Sequence, residues 1–97
     1  MSNVALWVKL EAKKGKEDAV EQFLRGGLAL VQQEPDTINW YALRLGPTTF
    51  AIFDTFNDDK GRDAHLNGAV AKALMANAAE LLAQPPSIEK VGVITEK

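Results

Sequence analysis

The stretch Phe50–Gly68, FAIFDTFNDDKGRDAHLNG, decides the fold. Its opening run, Phe50 to Phe56, is aromatic and β-branched and reads as a strand. Polar Asn57-Asp58-Asp59 breaks the run, and Asn57 or Asp58 is placed to cap a helix by accepting a backbone N–H bond. That helix carries His65, the single histidine. The chain has no cysteine, so His65 is the only side chain whose ordinary pKa lies near neutrality. It is the first candidate for proton chemistry.

Upstream, Thr37–Leu45 (TINWYALRL) reads as a second strand, and Gly46-Pro47 turns it into Thr48–Phe56. The pair predicts an antiparallel hairpin. Period-two alternation puts Ile38, Trp40, Ala42 and Arg44 on one face of the earlier strand, and Asn39, Tyr41, Leu43 and Leu45 on the other. In the later strand Phe50, Ile52, Asp54 and Phe56 share a face, so Asp54 is an acid among aromatics.

Further upstream, Val4–Leu10 (VALWVKL) predicts a strand that is largely apolar on both faces. A KKGK turn leads into a helix over Lys16–Gln33, whose Ala19, Val20, Phe23, Leu24, Leu28 and Val31 form an amphipathic stripe. Gly26-Gly27 inside it costs about 1 kcal/mol per glycine. It implies either close helix–sheet packing or room for a ligand. Pro35 ends the helix. Downstream, the His65 helix bends or restarts at Asn67-Gly68, and a second stripe (Val70, Leu74, Met75, Ala78, Leu81, Leu82) runs to Pro85-Pro86. Ile88–Thr95 predicts the last strand, with Glu96 and Lys97 fraying.

The order β-α-β-β-α-β predicts an α+β, ferredoxin-like domain: a four-stranded antiparallel sheet with its helices on one face. At 97 residues it is one domain. One sheet face is then uncovered although its strands are apolar on both sides. An apolar patch of several hundred Å² on a monomer is unusual, so a homodimer joined sheet to sheet is expected.

Composition excludes several classes. A net charge of −2 carries no footprint for nucleic acid. Without cysteine there is no disulfide framework, thiolate metal site or cysteine nucleophile. One histidine with scattered carboxylates does not make a transition-metal set. No apolar run approaches a membrane span, and MSNVALWVKLEA is not a signal peptide. The expectation is a cytoplasmic protein with no membrane or nucleic-acid partner and no cofactor.

In order and spacing the chain resembles the antibiotic biosynthesis monooxygenase (ABM) family of dimeric α/β barrels. The resemblance runs through VALWVKLEAKKGKEDAVEQFL, EPDTINWYAL, FAIFDTFNDDKGRDAHLNG and PPSIEKV, that is, essentially the whole domain. It rests on the turn Glu34-Pro35-Asp36-Thr37, the strand end Asp54-Thr55-Phe56 and Ala64-His65-Leu66 in the following helix. It implies a cavity between sheet and helices, with His65 matching the family histidine that faces it. It also implies a reaction without metal or flavin, in which a quinol-like or polyphenolic aromatic is oxidised by molecular oxygen. Haem degradation is disfavoured, because the asparagine–tryptophan–histidine triad of haem-degrading relatives is not reproduced. A non-catalytic dimer that binds a small aromatic ligand, or an isomerase or cyclase using the same pocket, are the alternatives.

Such an oxidation needs a base, a donor for the developing oxyanion and a dry aromatic pocket. On the implied roles His65 is the base and Asn39 and Tyr41 are the donors, with Trp40, Phe53, Arg62 and Asp54 contacting substrate. Trp40 and Tyr41 alternate, so both line one cavity only if the strand bulges. The plainer alternatives are that His65 is a capping or surface histidine bonded to a carboxylate such as Asp54 or Asp58, that Arg62 is a solvated helix residue or pairs with Asp54, that Asp54 forms a salt bridge or dimer contact, and that Trp7 and Trp40 are core or interface.

Overall fold

A computed structural model describes residues 2–97. The elements run β1 (Val4–Glu11), α1 (Glu17–Val31), β2 (Thr37–Arg44), β3 (Thr49–Phe56), α2 (Asp59–Leu66), α3 (Ala69–Leu81) and β4 (Ser87–Gly92). The strands form one antiparallel sheet in the order β2-β3-β1-β4, the ferredoxin-like arrangement.

Register fixes which side chains meet the helices. Leu6 pairs with Asp54, Val8 with Ile52 and Leu10 with Phe50. These residues form one face with Phe56, and Val20 and Leu24 of α1 and Leu74 of α3 close over it. Phe50, Phe56, Leu6 and Leu10 are almost fully buried. Each such side chain contributes about 1.5–3 kcal/mol by leaving water, and Asp54 alone in this layer carries charge.

The predicted restart is real: α2 ends at Leu66 and α3 begins at Ala69, after Asn67 and Gly68. Of the two candidate caps, Asp58 is the one used. Its Oδ1 accepts from the Gly61 N–H at 2.9 Å. Gly27 is buried against the Trp40 ring, where an added Cβ would sit 3.4 Å from two ring carbons, whereas a Cβ on Gly26 meets nothing. One glycine of the pair serves close packing and the other faces open space.

Three expectations need correction. Helix α1 stops at Val31 rather than Gln33, because Gln33 and Glu34 donate to the carbonyls of Leu30 and Val31 in a tightening turn. The last strand runs over Ser87–Gly92, not to Thr95, and beyond it the Glu96 carboxylate accepts from the Ser2 N–H at 2.5 Å. Arg62 is not a solvated residue and does not pair with Asp54. Its side chain is only 11% exposed, and it donates to the carbonyls of Ala5 and Val91 and to Asp59, docking α2 onto the sheet.

The face away from the helices carries Trp7, Tyr41, Leu43 and Phe53 around the buried small residues Ala5, Ala51 and Thr55. Tyr41 stacks on Phe53 with ring centres 6.4 Å apart and is itself 52% exposed. Among the described residues no helix is long and apolar enough to cross a membrane.

Candidate functional site

Asp54 explains the position of His65. It lies on β3 between Leu6 of β1 and Trp40 of β2, and has no exposed surface. An ionised carboxylate there needs a counter-charge, since a lone buried charge costs several kcal/mol. His65, on the buried face of α2, supplies it: Nε2 lies 2.8 Å from Asp54 Oδ2. The approach is close but off the hydrogen-bond axis, so it is an ion pair first. The other ring nitrogen, Nδ1, lies 2.5 Å from Glu34 Oε1, and that carboxylate also accepts from Thr37 Oγ1 at 2.8 Å. Phe56 packs on the imidazole, ring centres 5.4 Å apart.

Both nitrogens therefore face carboxylate oxygens. A neutral imidazole has one N–H and would turn a lone pair toward one of them, whereas the imidazolium donates from both. Burial opposes the charge, yet the contacts and charges of Asp54 and Glu34 outweigh it and hold the His65 pKa above its ordinary value. The ring fastens α2 to β3 and to the α1–β2 turn. Both ring nitrogens are engaged by these carboxylates. Among the described residues no group of three His, Cys, Asp or Glu side chains is arranged to hold a metal ion.

The register divides the expected site residues. His65, Asp54 and Trp40 lie on the helix side of the sheet, while Asn39, Tyr41 and Phe53 lie on the other. Asn39 donates to Thr55 Oγ1 at 3.2 Å, and Tyr41 belongs to the stack with Phe53. Strand parity thus puts Asn39 and Tyr41 on the sheet face opposite His65. A bulge does occur in β2, but between Thr37 and Asn39. It turns Thr37 toward Glu34 and leaves Trp40 and Tyr41 on opposite faces.

The larger hollow on the helix side is a groove of about 520 Å³ between α1 and the edge strand β2. Leu24, Leu28, Trp40, Ala42 and Phe50 wall it, Tyr41 and Leu43 of the edge strand also border it, and Glu21, Arg25 and Arg44 stand at its mouth. The Arg44 guanidinium lies over the Phe50 ring, 4.6 Å from its centre. Its Nη2 meets Glu21 Oε1 at 2.6 Å, while Arg25 meets Glu21 Oε2 at 3.1 Å. Hydrogen bonds from Arg44 and Arg25 hold the Glu21 pKa below the usual carboxylate value. His65 does not line this groove. It lines a second hollow of about 330 Å³, between the α1–β2 turn and the α2–α3 junction.

Sequence reasoning missed Glu34 as the second partner of His65, and Glu21, Arg25, Arg44 and Phe50 as groove residues. Glu34 carries no local signal, being 31 positions from His65. The groove set did leave a trace: Leu24 and Leu28 share a helix face, and Trp40 and Arg44 share a strand face.

Comparison with known proteins follows the architecture. No family model matches the chain, and no curated protein matches it. Among solved structures, an ABM candidate from Nitrosomonas europaea superposes with a TM-score of 0.84 at 20% identity, over 95% of this chain and 99% of the other. Another from Caulobacter crescentus superposes at 0.82 with 16% identity, over 97% and 92%. This is a domain of the ABM-like ferredoxin fold. It is also similar along its whole length to NE2512, a Nitrosomonas europaea protein of unknown function: 54% identity, TM-score 0.98, 100% of this chain and 94% of that one. The chain belongs to the NE2512 family.

Proposed function

We propose that this protein is a homodimer that binds a small, flat, mainly apolar molecule in the groove between α1 and β2. The groove carries the reading. Its volume of about 520 Å³ falls in the range of about 300–1,000 Å³ typical of small-molecule sites. Trp40 offers an aromatic face, worth about 0.5–1.5 kcal/mol per stacked ring beyond area burial, while Phe50 lies beneath the Arg44 guanidinium. The dimer rests on the open sheet face, where Trp7, Tyr41, Leu43 and Phe53 form an apolar surface. Naphthalene-sized ligands should quench tryptophan fluorescence saturably, and Trp40→Ala should abolish the effect. Unchanged binding in that variant would move the site elsewhere. Light scattering showing a monomer at micromolar concentration would remove the dimer.

Oxygenation of the bound molecule is the second reading. It is favoured by the position of Trp40, which walls the groove and pairs in register with Asp54, and by the names of proteins sharing this fold. A quinol supplies all four electrons: one oxygen atom enters the ring as hydroxyl, the other leaves as water, and the ring becomes a hydroxyquinone. No other reductant is needed. In this reading His65 is a positioning residue that acts through Asp54 on Trp40. Asn39 and Tyr41 belong to the subunit interface. Oxygen uptake with a hydroquinone, reduced in Trp40→Ala and changed in pH profile in His65→Gln, supports it. Ligand binding without oxygen uptake leaves the first reading alone.

A further inference from the structure

The mouth of the groove is more specific than its walls. Two guanidinium groups, Arg25 and Arg44, share the single carboxylate of Glu21. The local balance is one positive charge in excess, on a protein whose net charge is −2. Arg44 is also already ordered. Its ring contact with Phe50 and its bonds to the turn carbonyls of Gly46 and Pro47 hold the guanidinium at the groove. A ligand acid meeting it loses little further side-chain entropy. Glu21 itself shows which chemistry the two arginines accept, because a carboxylate sits between them. Planar guanidinium matches planar carboxylate through paired N–H···O bonds.

Resting on the groove reading above, we propose that the ligand is an aromatic carboxylic acid, its ring against Trp40 and its carboxylate on Arg44 and Arg25. Glu21 then acts as an internal competitor. It neutralises the arginines when the groove is empty and weakens acids that cannot displace it or share with it.

The test uses 2-naphthoate and its neutral counterpart 2-naphthamide, titrated by calorimetry into the full chain. In the wild type naphthoate should bind about five-fold tighter, the worth of one half-exposed ion pair. Glu21→Gln should widen that ratio by about another five-fold. Arg25→Gln and Arg44→Gln should bring the ratio toward one. Arg44 also ties down the hairpin turn. Arg25, whose side chain is 70% exposed, gives the variant that keeps the fold. High salt should compress the ratio. Equal affinities in the wild type, or a ratio that all three variants leave alone, would overturn the acid preference while the groove reading stands. Absence of binding by both probes would remove the groove reading and this inference with it.

Discussion

His65→Ala removes the positive charge between two carboxylates and leaves Asp54, fully buried, without its counter-ion. Removing one partner of a buried pair costs about 3–5 kcal/mol. The lower end applies here, because Glu34, whose side chain is 17% exposed, can reach water. A domain of this size has a total stability of about 5–15 kcal/mol. A loss of about 3 kcal/mol lowers Tm by at least about 12 °C at neutral pH. Replacing the pair together, Asp54→Leu with His65→Phe, should cost less than His65→Ala alone, since it removes the fully buried carboxylate and leaves only Glu34, 17% exposed, without its partner. Urea denaturation of the wild type and the two variants measures all of this.

The pH dependence has a definite sign. The folded pKa of His65 is raised above the unfolded value of about 6.5. The proton is therefore bound more tightly in the folded state. Its stabilisation is complete below about pH 6.5 and is lost as pH rises through the higher folded value. Wild-type unfolding free energy should fall from about pH 6.5 upward, and the His65→Ala profile should be flat there. The single histidine gives one unambiguous imidazole resonance, so proton NMR reads the folded value directly. A titration at or below about 6.5, or a His65→Ala variant within about 0.5 kcal/mol of wild type, an ordinary surface effect, would refute the ion-pair account.

Other consequences are smaller. Asp58→Ala should lose about 1 kcal/mol in a chemical-denaturation midpoint, because the Gly61 N–H loses its acceptor. Gly26→Ala should gain up to about 1 kcal/mol, since nothing lies within 4 Å of the added Cβ; Gly27→Ala should gain less, its methyl meeting the Trp40 ring. Arg62→Ala should cost about 1–3 kcal/mol and speed hydrogen exchange in α2, because the carbonyls of Ala5 and Val91 lose a charged donor.

Most of the fold could be read because its information is local. Alternation marked Phe50, Ile52 and Phe56 as one face of their strand, and Gly68 and Pro85 punctuated the helices. The site was less legible because its contacts are not local. Glu34 meets His65 through a turn whose geometry depends on where α1 stops, and no spacing rule reaches 31 positions. Parity had placed Trp40 and Tyr41 on opposite faces; what it lacked was which face the helices cover. Asp54 held that information, since it shares a face with Trp40 and is the acid that the only histidine must neutralise.

That pairing gives the buried cluster a second consequence. Trp40 pairs in register with Asp54 on the neighbouring strand, and the indole that walls the groove packs against Gly27 on the helix above. A change at Asp54 or His65 should be felt in the groove without touching its lining. Asp54→Asn removes the charge and keeps the shape, so it separates the two effects. If the cluster holds Trp40 in place, this variant should bind 2-naphthamide more weakly and show altered tryptophan emission while remaining folded. If the cluster only fastens α2, stability should fall and amide affinity should stay at the wild-type value.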